Sequence, residues 1–263
     1  SSVYRHPKLN SLLMVYVDGF KMSGPSENLS KGWQLIRKHI KTDKPLPAGK
    51  CLGCDHLIGT TKVGGKSVKQ IEYDMQPFLE QCVQAYLTAS KKDRKTLKRA
   101  ATPFLDDNVL EKEQQALDAQ GPDSNAKKGV LQPIAASILM KVLYAARLAR
   151  FDLLKAVGNL ASKITKWDHT CDRQLHRLIS YIDSTLEYRL KGHIGDRAED
   201  LSIGLYSDAD FASDKETSRS TTGVFIALEG PNTFFPLNAI SKKQSVVSHS
   251  TPEAEIVAAD HAL

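Results

Sequence analysis

Two carboxylates near the carboxyl-terminal end of the sequence have the types and placement to bind a metal ion. Asp208 lies near the end of the alternating segment Leu201–Asp210, and Glu255 lies early in a segment that begins at Ser250. Alternation of apolar and polar residues predicts a strand, and a capping hydroxyl followed by proline predicts a helix start. A strand carboxylate and a helix carboxylate that converge can bind Mg²⁺ for phosphodiester cleavage. Most such residues are instead turn formers and caps, which is the alternative reading.

A second candidate metal site is the C-x-x-C-x-H cluster of Cys51, Cys54 and His56. A structural zinc ion needs four ligands, and the sequence has no second close pair. Cys82 or Cys171 could complete the site only through a contact made by the fold. We expect four free thiols rather than zinc or a disulfide framework.

Basic residues are concentrated in one short segment of a chain whose formal net charge is +6. A basic balance favours a polyanionic partner, because Lys and Arg displace counterions from phosphates. The segment is either a nucleic-acid contact or a solvated surface, and the sequence favours neither. Its candidate residues are Lys91, Lys92, Arg94, Lys95, Lys98 and Arg99.

The remaining patterns predict the elements that would position these residues. Asp18-Gly19 and Gly64-Gly65 predict the turns of two hairpins. Apolar spacings of three and four predict helices over 27–40, 77–88 and three segments between 133 and 186. Alternating or apolar runs over 201–210, 221–230 and 239–250 predict three strands before the helix at Ser250. We also expect extended structure over 186–190. The longest apolar run is too short to cross a bilayer and the amino terminus is polar, so we expect an intracellular protein, cytoplasmic or nuclear, with no membrane partner.

Several of these segments resemble copia-type retrotransposon Pol polyproteins. YSDADFASDKETSRSTTGVFIALEG, followed by SKKQSVVSHSTPEAEIVAADHAL, is similar to the family's ribonuclease H domain, and LLMVYVDGFKMSGPS resembles its reverse-transcriptase hairpin. KCLGCDH resembles the hairpin that grips the primer strand. The later helical patterns are most similar to elements found in dinoflagellate genomes.

The resemblance implies an α/β (α+β) mixture in four segments. Residues 1–90 would form a partial palm, 91–128 a basic linker, 129–197 a helical thumb or connection, and 198–263 the first half of a ribonuclease H-like domain. The resemblance also implies Mg²⁺ as cofactor, with Asp208, Glu255 and Asp18 as catalytic, metal-binding residues. It further implies that Leu52, Gly53 and the basic residues of 91–99 contact nucleic acid. An RNA:DNA hybrid and the rest of the polyprotein would be the partners.

Both implied active sites are incomplete, since Gly19 replaces the second aspartate of the polymerase pair and the later carboxylates of the nuclease are absent from this sequence. We therefore expect a polyprotein fragment with little or no activity of its own. The alternative is a non-catalytic, nucleic-acid-binding relic or repurposed domain.

Overall fold

The computed structural model describes residues 2–17, 19–105, 115, 129–214 and 217–263. The predicted mixture of helices and strands is confirmed, because this part of the chain contains six α-helices and two antiparallel sheets. Residue contacts divide the chain into two units, Ser1–Pro47 and Ala48–Leu263. The four segments drawn from the resemblance stay a prediction.

The first unit is a three-stranded sheet followed by one helix. Its elements are β1 (Val3–His6), β2 (Ser11–Tyr16), β3 (Gly19–Ser23) and α1 (Ser26–Arg37), with strand order β1-β2-β3. The predicted hairpin is confirmed, but Gly19 is the first residue of β3 and not a turn residue, since it pairs with Tyr16; Val17 has a φ of 54°. Asp18 lies outside the described residues.

The second unit is built on a six-stranded antiparallel sheet with strand order β4-β5-β6-β9-β8-β7. Its strands are β4 (Asp55–Val63), β5 (Lys66–Asp74), β6 (Leu190–Ile194), β7 (Ser202–Asp210), β8 (Thr221–Gly230) and β9 (Thr233–Lys243). The hairpin at Gly64-Gly65 is confirmed, since both glycines have positive φ and Val63 pairs with Lys66. Strand β9 ends at Lys243, seven residues before the predicted end at 250. At the next residue, the Gln244 side chain turns inward and donates to the Thr222 hydroxyl and to the carbonyl of Ala254.

Five α-helices of the second unit lie in the described residues. They are α2 (Gln76–Ser90), α3 (Gln132–Leu148), α4 (Leu154–Ala161), α5 (His169–Ser184) and α6 (Thr251–Ala262). Carboxylates bond backbone amides at two of these helix starts: Asp74, just before α2, accepts from the Gln76 amide, and Asp168, the N-cap residue of α5, accepts from the Cys171 amide. Among the described residues, no helix has both the length and the apolar character needed to cross a bilayer.

The main core is formed by α2 to α5. Leu79, Val83, Leu139, Leu175 and Ile179 are fully buried within it. Helix α4 packs against β9, so the helical layer covers one face of the sheet near its β9 strand. Helix α6 packs against β7 and β8, where Ala209, Ala254 and Ala258 form a separate small cluster.

Candidate functional site

Asp208 and Glu255 lie on elements that pack together, but their surroundings differ. Asp208 is exposed near the end of β7, and its neighbour Ala209 packs beneath α6. Successive side chains of a strand point to opposite faces, so Asp208 projects from the face of β7 that faces away from α6. Glu255 is half-buried on α6, about a quarter turn from Ala254, which contacts the sheet.

Other contacts confirm which face Asp208 shares. Asp210, two residues along and therefore on the same face, forms an ion pair with Lys155 of α4. Tyr206, also on that face, packs against Phe225, whose ring lies 6.5 Å from that of Phe151. Asp208 thus shares the face covered by the helical layer, and Glu255 belongs to the helix on the other face.

No ligand set around these carboxylates is complete within the part of the chain that the structure describes. No group of three or more His, Cys, Asp or Glu side chains there is placed to hold a metal ion. Catalysis and Mg²⁺ binding by Asp208, Glu255 and Asp18 therefore stay predictions. The helix start itself is confirmed, since Ser250 accepts from the Glu253 amide and Glu253 accepts from the His249 amide.

The basic segment is split between one structural arginine and several exposed cations. Arg94 is held by Glu80 and Asp183, at 2.5 and 2.6 Å, and these two carboxylates raise its pKa above the ordinary value. The other cations of the segment are exposed and form no ion pair within the described residues: Lys91, Lys92, Lys95, Lys98 and Arg99. Nucleic-acid contact by this segment stays a prediction.

Leu52 and Gly53 form the tip of a tight turn between Cys51 and Cys54. Both tip residues have positive φ, 53° and 77°, and the two cysteines exchange backbone hydrogen bonds. The Leu52 carbonyl accepts from the Tyr144 hydroxyl at 2.6 Å. These bonds hold the turn against the helices, and a nucleic-acid role for its tip stays a prediction.

A buried arginine is a feature that the sequence patterns did not indicate. Arg150 follows α3, and its side chain is only 2% exposed. Its guanidinium donates to both carboxylate oxygens of Asp152 and to the carbonyl and hydroxyl oxygens of Thr185. It also lies over the rings of Tyr181 and Tyr188, with its central carbon 5.9 and 5.6 Å from their centroids. These contacts satisfy the guanidinium, so Arg150 is a structural residue.

The open edge of the larger sheet is a second feature, and the sequence did not identify the strand that forms it. Strand β7 is an edge strand, and within the described residues it pairs only with β8. Its side chains Ile203, Leu205 and Tyr206 are 70%, 39% and 52% exposed. We call this strand, Ser202–Asp210, with its unpaired side, the β7 edge. A long polar-apolar strand looks the same in sequence whether it is central or at an edge, so its exposure required the strand order.

Comparison with known proteins identifies a relative of a different kind from the one that the motifs predicted. The chain is 35% identical over 121 residues to the secreted RxLR effector protein 161 of Plasmopara viticola, a match that covers 46% of this chain and 80% of the relative. No known family model and no solved structure matches the chain.

This finding contradicts the predicted membership of the copia-type retrotransposon Pol polyproteins, and that prediction is wrong. The reverse transcriptase and ribonuclease H functions inferred from it are wrong as well. The physical reason is that the matched motifs are also common local structure. The segment at Ser250 is a capped helix start, and the segment ending at Asp210 is an alternating edge strand. By its identity with that relative over most of the relative's length, the chain belongs to the family of the secreted RxLR effector protein 161.

Proposed function

We propose that the chain acts as an effector-family protein that binds an extended segment of a partner protein along the β7 edge. The observation that carries the proposal is a nine-residue edge strand with exposed apolar side chains, whose outer backbone groups pair with no other strand in the described part of the chain. The word effector comes from the name of the relative, and the mode of binding comes from the geometry of the strand.

The backbone of β7 sets the conformation of the partner. An edge strand presents a row of N–H and C=O groups that a second extended chain can pair with. Natural edges are commonly protected by charged side chains, especially Lys, or by Pro. Strand β7, with the sequence SIGLYSDAD, contains no Lys or Pro, and its two charged residues, Asp208 and Asp210, lie together at its carboxyl-terminal end. The opposite edge strand, β4, carries Lys62.

One face of the β7 edge is apolar. Ile203 and Leu205 project on the same face, and their partners on β8 are Leu228 and Ile226. Helix α6 packs on this face through Ala209, at the far end of the strand, and Ile203 remains largely exposed. An added strand with apolar residues at alternate positions would cover these side chains, and burial of apolar area supplies the main driving force.

The other face, which the helical layer partly covers, carries its two acids at the carboxyl-terminal end of the strand. Asp208 is exposed and has no ion pair within the described part of the chain, whereas Asp210 is paired with Lys155. Opposite charges that face each other across neighbouring strands contribute about 0.2–1 kcal/mol. The complementary partner is therefore an extended segment that alternates apolar with basic side chains.

Fluorescence anisotropy with labelled synthetic peptides tests this proposal. The probe is a peptide of alternating valine and lysine, and the comparison peptides are one of alternating valine and glutamate and one with the same composition as the probe in two blocks. We expect the probe to bind most tightly. Leu205→Lys should weaken its binding at least about ten-fold, or about 1.4 kcal/mol. Asp208→Asn should remove the preference for lysine over glutamate.

The matched control is Ile58→Lys on the other edge strand, where Ile58 is 65% exposed. Binding by this variant should equal that of the unmodified protein. Equal loss in both lysine variants, or no binding of the alternating peptide, would refute the proposal. So would sedimentation showing that the chain pairs with itself through β7 in a dimer that Leu205→Lys abolishes.

A further inference from the structure

The turn at residues 51–54 places two cysteines directly opposite each other. The Cys51 amide donates to the Cys54 carbonyl at 2.8 Å, and the Cys54 amide donates to the Cys51 carbonyl at 3.0 Å. Residues that exchange both bonds in an antiparallel pair have Cα atoms about 5.5 Å apart. That Cα separation lies within the range of roughly 4.4–6.8 Å that a disulfide spans. The Cβ atoms of directly opposed residues are about 4.5–5.5 Å apart, wider than the roughly 3.5–4.5 Å found in a disulfide, so the turn must tighten when the bond forms and the strained bond is readily reduced. Opposed residues also project their side chains to the same side of the pair.

The two thiols differ in access. Cys51 is half-buried and can be reached from solvent, whereas Cys54 is 2% exposed. The turn that joins them is fixed by the positive φ of Leu52 and Gly53 and by the bond from Tyr144. The backbone of the turn therefore keeps the two cysteines opposite each other.

The remaining cysteines cannot make the first attack on a disulfide in solution, and neither lies opposite Cys51 in the turn. Cys82 and Cys171 are each 1% exposed in the helical core. Burial raises the pKa of both thiols to about 11, so that little reactive thiolate is present at neutral pH.

We propose that Cys51 and Cys54 form a site of reversible disulfide formation. The oxidant is a small disulfide such as oxidised glutathione. The Cys51 thiolate attacks it, forming a mixed disulfide and releasing one glutathione thiolate. The Cys54 thiolate then attacks the Cys51 sulfur and expels the second glutathione. The two cysteine thiols lose two electrons and two protons in total, and one glutathione disulfide becomes two glutathione thiols.

The test is to equilibrate the folded protein with mixtures of reduced and oxidised glutathione, quench with acid, unfold and alkylate. Of the four cysteines, two should remain available for alkylation after oxidation, and peptide mapping should join residue 51 to residue 54. The oxidised fraction should fall as the ratio of squared reduced to oxidised glutathione rises. Excess dithiothreitol should restore four alkylated residues.

Two variants separate the steps. Cys54→Ser should retain one glutathione at Cys51, because the expelling thiol is missing, and Cys51→Ser should form neither the mixed nor the internal disulfide. Four alkylated cysteines in the unmodified protein after excess oxidant would overturn the proposal. Mapping to a different pair, or a stable mixed disulfide at Cys51 in the unmodified protein, would overturn it equally.

Discussion

Replacement of Arg150 by methionine should destabilise the second unit by about 3 kcal/mol. The substitution keeps an unbranched apolar chain but removes four hydrogen bonds, two to Asp152 and two to Thr185, of 2.8 to 2.9 Å. Removal of one partner of a buried ion pair costs about 3–5 kcal/mol. The lower end applies, because the Asp152 side chain is 34% exposed and keeps its bond from the Tyr181 hydroxyl.

Urea unfolding followed by far-ultraviolet circular dichroism measures this change as a shift of the midpoint at constant slope. The free energy of unfolding of Arg150→Lys should lie between those of the unmodified protein and Arg150→Met, because an ammonium keeps the charge but loses the planar fork of hydrogen-bond donors. The matched control is Arg197→Met, since Arg197 is 83% exposed and its 3.5 Å pair with Glu199 should be worth less than about 0.5 kcal/mol. A loss below about 1 kcal/mol for Arg150→Met would refute the assignment of Arg150 as a structural residue.

Two further predictions concern α6 and α5. Ala254→Leu should lower the free energy of unfolding by about 1–3 kcal/mol in the same assay, because Ala254 is fully buried against Ala209. The control, Ala259→Leu on the exposed side of α6, should change it by less than about 0.5 kcal/mol. Burial, and then the charges of Lys92 and Arg173, lower the pKa of His176 below its unfolded value of about 6.5. The unfolded state therefore takes up its proton first, and stability should fall as the pH drops below about 6.5, until the folded residue is also protonated. His176→Gln should lack this contribution to the loss of stability at low pH. An NMR titration of the His176 imidazole should give a pKa below 6.5, and a pKa at or above that value would contradict the reasoning.

Local patterns predicted much of the second unit. The glycine pair at 64–65, the strands that begin near 201 and 221, and the helix cap at Ser250 were all confirmed, because turns, alternation and caps are set by neighbouring residues. Leu186 to Leu190 was predicted to be extended, and the strand is found slightly later, at Leu190–Ile194.

The long-range arrangement could not be predicted from these patterns. Strand β6 joins β5 to β9, with Ile71 opposite Gly192 and His193 opposite Phe234, and no local signal specifies such partners. The burial of Arg150 likewise depends on Asp152 and Thr185 meeting at the end of α3. The candidate carboxylates illustrate the same limit, because the face on which Asp208 projects became known only from the neighbours of Ala209 and Asp210.

Hydrogen exchange of the β7 amides, measured with and without the alternating valine-lysine peptide, tests most directly whether this edge binds an extended partner. Amides of β7 that point away from β8 should gain protection when the peptide is added, and those of the opposite edge strand, β4, should not change. Protection of β4 alone, or binding of the peptide with no change in β7, would contradict the account.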